Sequence, residues 1–433
     1  MSGELSRRRL LRTIGTAVGA SIAGCLFDDG PEPIDAEARD LREIAAMDVP
    51  ARAEPFPIEV DAAYVEREVD RVESLLEEIP SALETEIPNE AVRQYIDNER
   101  EDTRQKLNRA DDEETNIGRL GPLRGARSDS EEANGAYRAA RGELTRAEIT
   151  PGLTELRERA AGRAESLTVE GRDPHEAIPI YDRIERRLAA AIRALDRPEP
   201  PSTVSTVEAV GELSGRTGFV RAATNDAMHL LERHRESVHD PEPFGEAIEQ
   251  AIDAMDEEIT TRVETIPDDP NRHTLFDAET DSTPRAPAGE QVLRLVQSSV
   301  DRYRDNDPES AQGFTTALDA LCDLQMVDRL RTVVEEGGLG RPEDETAVED
   351  AKISAVESIE DARATADTGS QYLLEPQLSA AISSIHRGDD TIERHADRSV
   401  ERAALWSIAE YAIADARATV TNDAVAQAID ALE

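Results

Sequence analysis

Lysine is nearly missing from this chain. Of 433 residues only Lys106 and Lys352 carry an ammonium side chain; every other basic residue is arginine. Aromatic residues amount to 3%, with one Trp, seven Tyr and six Phe, which excludes an extended stacking platform for bases or sugar rings. Cysteine occurs only as Cys25 and Cys322, which excludes a disulfide framework and any paired-cysteine metal motif. Positive charge is in deficit, with 49 Lys plus Arg against 93 Asp plus Glu and a formal net charge of −44. Phosphate backbones and anionic lipid headgroups are bound by clustered cations, so nucleic acid and a basic membrane patch are both excluded as modes of attachment. No apolar run approaches the ~20 residues that cross a bilayer as a helix.

What the chain does contain is helical periodicity. Apolar residues make up 38% and recur at four- and three-residue steps. Val65, Val69, Val72, Leu76, Ile79 and Leu83 form one such stripe, and Tyr181, Ile184, Leu188, Ile192 and Leu195 another. Phe244, Ile248, Met255, Ile259 and Ile266 form a third. Stripes of this kind bury themselves against neighbouring helices. No run alternates strictly with Val, Ile and Thr, so the expected class is all-α, a multi-helix antiparallel bundle or irregular helical array in two halves. Asp173-Pro174, Asp240-Pro241, Asp307-Pro308 and Arg341-Pro342 are expected helix starts, and Gly337-Gly338-Leu339-Gly340 a helix C-cap and turn. Asn116–Asp129, with Gly118, Gly121 and Gly125, reads as a glycine-rich loop. Arg387-Gly388-Asp389 reads as a turn, and Thr421-Asn422 as the cap of a short last helix. The expected organisation is a helical domain over 61–266, a proline-rich linker over 267–288 and a second helical domain over 289–433.

The N-terminus carries the most specific motifs. Ser6-Arg7-Arg8-Arg9-Leu10-Leu11-Arg12 resembles a twin-arginine export signal, with Arg7 and Arg8 as the paired arginines. A short apolar stretch, Thr13 to Ala23, follows, and then Ile22-Ala23-Gly24-Cys25 resembles a lipobox. Together with an acid-rich, lysine-poor composition, these motifs resemble a haloarchaeal exported lipoprotein. The resemblance covers about the first 25 residues, and the body of the chain has no part in it. It implies a signal peptide over 1–24 and a lipid on Cys25. It also implies an extracytoplasmic location on the outer face of the cytoplasmic membrane, with the lipid as the membrane contact. Residues 25–60, rich in proline and acids, are expected to be an extended tether interrupted by a short helix near Ile34–Ala46. The segment 1–24 holds four Arg and one Glu, so cleavage leaves a body three charges more acidic.

Candidate chemistry is sparse. His229, Glu232, Glu236 and His239 fall within about 80° on a helical wheel, and two imidazoles with two carboxylates suit a divalent ion. Leu231, Ala227 and Val238 lie on the opposite side of that wheel, so a solvated charged face is the preferred reading of the four. Cys322 shares a stripe with Phe314, Leu318 and Leu321 and is expected to be a buried thiol. No nucleophile elbow, zinc-protease helix or phosphate loop occurs. The expected function is accordingly non-enzymatic and without a cofactor. The chain would be an exported, lipid-anchored scaffold or interaction module that meets protein partners through helix faces. The alternative is an extracytoplasmic binding protein for a cation or small solute.

The charge makes one prediction. At ~1 M salt the Debye length is about 3 Å and acidic self-repulsion is screened, whereas below ~0.1 M it exceeds about 10 Å. Dialysis to low salt is expected to abolish the helical circular dichroism signal; an unchanged spectrum would contradict a salt-adapted fold.

Overall fold

The computed structural model describes residues 34–198, 205–267, 271, 273–278, 282–307, 309–366 and 369–432. Among these the fold is all-α. In chain order the helices are α1 (Ala38–Ala45), α2 (Ala62–Glu77), α3 (Glu90–Asp112), α4 (Asn116–Ala140), α5 (Arg146–Glu165), α6 (Pro174–Asp196) and α7 (Thr206–Ser237). They continue as α8 (Gly245–Val263), α9 (Arg285–Arg304), α10 (Ala311–Glu335), α11 (Thr346–Thr365), α12 (Gln371–His395) and α13 (Val400–Asp430). The sole strand pair among the described residues is β1 (Glu170–Gly171), antiparallel to β2 (Glu242–Pro243). The chain divides into an N-terminal unit, residues 54–249 with 307–315, and a C-terminal unit holding the rest. The division falls inside α8, ahead of the proline-rich stretch expected to separate the halves. That stretch belongs to the C-terminal unit, where Leu275, Phe276 and Ala278 are buried and α9 already begins at Arg285. Prolines end the helix there, but the apolar residues among them still seek a core.

In the N-terminal unit the helix starts are set by side-chain caps. Asn89 accepts from the amides of Ala91 and Val92, Asp173 from that of His175, and Ser205 forms a capping box with Glu208. The central contact is α4 against α7. Gly211, Gly215 and Gly218 follow one face of α7, and a methyl group there would lie 3.1, 3.1 and 2.8 Å from the carbonyl oxygens of Glu132, Ser128 and Arg127. On α4, a Cβ at Gly135 would meet the Ser214 Oγ at 2.2 Å. The two backbones approach this closely because a glycine stands at each of these crossing points. This contact corrects the expected loop over Asn116–Asp129. Thr115 caps α4 by accepting from the Gly118 amide at 3.1 Å. Burial of Leu120, Leu123, Ala126, Ala133 and Ala136 then outweighs the poor helix propensity of three glycines and Pro122.

The C-terminal unit is built on α13, which runs unbroken for 31 residues. Thr421 does not cap a short helix; its hydroxyl donates to the Arg417 carbonyl one turn back, at 2.7 Å. The Asn422 amide leaves the helix altogether and donates to the Ala362 carbonyl and the Thr365 hydroxyl, at 3.0 and 2.8 Å. Arg387-Gly388-Asp389 is not a turn but the middle of α12. Gly388 sits there because a Cβ would lie 2.5 Å from the Tyr411 ring. The turn at 337–340 is as expected: Gly337 has φ +92°, and the Gly338 amide closes back on the Val333 carbonyl at 2.8 Å.

Residues 34–53 are not a free tether. They contain the expected short helix, α1, whose Leu41 and Ile44 are buried, and they belong to the C-terminal unit. Lys352 is fully buried and its three ammonium donors find three acceptors. These are the Ile44 and Ala45 carbonyls at the end of α1, at 3.0 and 2.9 Å, and Asp389 Oδ1 at 2.8 Å. The Tyr411 hydroxyl completes Asp389 at 2.7 Å. Arg363 donates to the Ala51 carbonyl at 2.9 Å, and Asp35 bridges Asp344. A compact ammonium matches this three-acceptor pocket, whereas a planar guanidinium would not.

The close approach of α4 and α7 predicts opposite signs for one chemical change. Gly162→Ala, on α5 with nothing within 4 Å of the new methyl, is expected to stabilise by up to about 1 kcal/mol through helix propensity. Gly218→Ala is expected to destabilise by about 1–3 kcal/mol through overpacking. Urea unfolding at fixed high salt measures both, and equal signs would contradict the packing argument.

Candidate functional site

The histidine stripe is not assembled into a ligand set. His229 is buried, not solvated, and stacks on Tyr64 with ring centroids 4.0 Å apart and planes 3° from parallel. Burial lowers its pKa and keeps the imidazole neutral. Glu232 and Glu236 are exposed, Glu236 pairs with Arg233, and His239 lies beyond the end of α7. Glu232, Glu236 and His239 lie on the expected solvated face; only His229 departs from it, because Tyr64 covers that turn of α7. Among the described residues no group of three or more His, Cys, Asp or Glu is disposed to hold a metal ion. Cys322 is buried as expected, and burial pushes its thiol up to about 12. Arg7, Arg8 and Cys25 lie outside the described residues.

The distinctive polar feature lies elsewhere in the N-terminal unit. A cavity of 340 Å³ is lined by Arg124, Arg183, Arg186 and Arg187, with Glu54, Glu113 and the first turns of α4. On α6, burial of Ile184, Leu188 and Ala191 turns one face inward. Arg183, Arg186 and Arg187, at i, i+3 and i+4, then line its flank. On α4, Ile117, Leu120 and Leu123 are buried and Arg124 follows at their edge. Four guanidiniums thus meet in a chain of net charge −44.

Beneath them lies Asp226 on α7, with a side chain only 4% exposed. It accepts from the Tyr64 hydroxyl at 2.9 Å and from Arg124 Nη1 at 3.2 Å, and Arg187 Nε stands 3.9 Å away. Burial pushes its carboxyl up to about 6, opposed by Arg187 and Arg124, so it is ionised at neutral pH. Arg186 is held by Asp182, with bonds of 2.7 and 2.8 Å. Arg183 has Glu54 at 4.0 Å and lies over the Phe56 ring, 5.2 Å from its centroid. Burial lowers the pKa of Arg183, and lowers that of Arg187 to about 10. Both remain cations. Guanidiniums of this kind neither attack nor exchange protons near neutral pH, so the arrangement can bind and orient an anion but not make bonds. The α6 arginines are visible in the sequence as Arg183-Ile184-Glu185-Arg186-Arg187. Arg124 was hidden inside the segment read as a loop.

Cavity and fold together define an all-α protein of two helical units, one of which carries a cationic cleft. Residues 63–240 match a family described as a domain of unknown function, DUF8262, and residues 241–430 match a second, DUF8264. The two matches meet a few residues before the structural division in α8. No curated protein and no solved structure matches the chain.

Beside the cleft, Glu185 on α6 accepts from the Ala311 and Gln312 amides, at 3.3 and 2.7 Å, at the start of α10. Burial pushes its carboxyl from 4.5 up to about 7, against the pull of those two amides. The folded chain therefore keeps a proton that the unfolded chain has released. The stabilisation is complete below about pH 4.5 and is lost as pH rises through about 7. Glu185→Gln mimics the protonated acid. Relative to wild type, the variant is expected to gain thermal stability between pH 5 and pH 8 at fixed salt; a constant difference would show that Glu185 titrates normally.

Proposed function

We propose that this chain is an exported, lipid-anchored helical module that works on the outer face of the cytoplasmic membrane in a high-salt medium, as a scaffold or interaction protein. The observation that carries the reading is the ordered pair of N-terminal motifs, Ser6–Arg12 followed by Ile22–Cys25. The docking of α1 sharpens it. With Asp35 already paired to Asp344 in the C-terminal unit, the leash from Cys25 is about ten residues. At ~3.3–3.6 Å per residue it reaches at most about 35 Å. Under this reading the C-terminal unit is held close to the bilayer, and association with partners runs through exposed helix faces. The acidic composition supports solubility in brine and offers no basic patch for lipid headgroups.

Cys25→Ser is expected to move the protein from the membrane fraction to the soluble extracytoplasmic fraction with the helical signal unchanged. Retention of Cys25→Ser on membranes would overturn the lipid anchor. Arg7→Lys with Arg8→Lys is expected to leave the uncleaved chain inside the cell, and normal export of that variant would overturn the signal. Crosslinking on intact membranes, with Cys25→Ser as control, then identifies the partner.

A further inference from the structure

We infer that the arginine-walled cavity of the N-terminal unit is a binding site for a small multivalent oxyanion, such as a phosphate or a polycarboxylate. Three observations carry this. The first is the concentration of cations: Arg124, Arg183, Arg186 and Arg187 line one 340 Å³ space in a strongly acidic chain. A surface adapted only to brine has no reason to gather four guanidiniums with partly buried stems into one concave place.

The second is incomplete compensation. Asp226 serves both Arg124 and Arg187, and Asp182 serves Arg186. Arg183 has only Glu54, at the 4.0 Å limit of an ion pair. Glu113 also borders the cavity, its carboxylate beside Gly118, so Glu54 and Glu113 both stand at the rim. Carboxylates thus accept hydrogen bonds only from Arg124 and Arg186, while Arg187 and Arg183 have theirs at 3.9 and 4.0 Å, beyond hydrogen-bond distance. Those two guanidiniums keep donors for a ligand.

The third is an orphaned donor. The Arg187 side chain is 9% exposed, its Nη1 donates to the Arg183 carbonyl at 3.1 Å, and its Nε is buried with no hydrogen-bond acceptor. Other arginines, Arg100, Arg127 and Arg417 among them, also have an Nε without an acceptor, but Arg187 is the one of these that lines the cavity. Its nearest carboxylate oxygen, Asp226 Oδ2 at 3.9 Å, is too far to accept, so a donor remains for an anionic oxygen. Guanidiniums prefer acceptors that take two parallel N–H bonds, which selects carboxylate and phosphate over chloride even where chloride is abundant. The open side at Gly121, where nothing lies within 4 Å of a Cβ position, gives the ligand room beyond its charged group. The inference stands apart from export and lipidation, so the fate of Cys25→Ser has no bearing on it.

Titration calorimetry on the full chain in high-salt KCl, with inorganic phosphate in one arm and citrate in the other, tests the site. Saturable binding of one equivalent is expected in at least one arm. Phosphate alone would assign a tetrahedral anion, and citrate alone a carboxylate ligand. Arg183→Gln and Arg187→Gln are each expected to weaken it at least tenfold, whereas Arg159→Gln, on the exposed face of α5, leaves it unchanged. Arg183 makes no close ion pair, so its variant keeps the fold, which circular dichroism verifies. Saturable binding of neither probe, or unchanged affinity in folded Arg183→Gln, would overturn the assignment.

Discussion

The chain has few large apolar side chains, and its helices must therefore come very close to exclude water. Packing density is set by interatomic gaps, and a core of Ala, Val, Ile and Leu closes those gaps only if the backbones approach. Gly211, Gly215 and Gly218 of α7 against the α4 carbonyls, and Gly388 of α12 against the Tyr411 ring, are where this happens. The rest of each unit takes its geometry from these contacts. Arg124 rides on α4 and Asp226 on α7, so the 3.2 Å bond between them exists only in the register that the glycines allow.

Close packing also decides where charge can be buried. A buried ion is tolerated only when its hydrogen bonds are complete, and the interior charges of this protein are mostly arranged to satisfy that rule. Lys352 meets three acceptors; the Arg417 guanidinium pairs with Asp323 and donates to Gln377 at 2.7 Å, with only its Nε lacking an acceptor. The second lysine, Lys106, pairs with Asp129. Both lysines retained by a lysine-poor chain thus serve ion pairs within a unit. In the arginine-walled cavity, Arg183 and Arg187 have no carboxylate within hydrogen-bond distance.

Much of the framework was legible before any coordinates. Val65, Val72, Ile79 and Leu83 are buried as their spacing required, as are Tyr181, Ile184 and Leu188, and Asp173 caps α6 ahead of Pro174. Asp240-Pro241 and Arg341-Pro342, expected to start helices, lead instead into β2 and into the bridge at Asp344. The three misread turns share one cause. Glycines at 118, 121 and 125, Arg387-Gly388-Asp389 and Thr421-Asn422 are turn signals by local propensity. Each was overridden by burial against a distant helix, which local sequence does not report. His229 was misplaced for a related reason: a helical wheel does not report that Tyr64 of α2 covers that turn of α7. The cavity was only half legible, because its α6 arginines sit on a recognisable helix while Arg124 sat in an apparent loop.

The sequence by itself determined the helical class, the two-part organisation and the strongly acidic character, because periodicity and composition are properties of the chain alone. The tertiary structure decided that residues 34–53 close the C-terminal unit, since the acceptors for Lys352 lie some three hundred positions away. It also decided that four arginines share one cavity. Charges separated along the chain act together only when packing has brought their helices side by side.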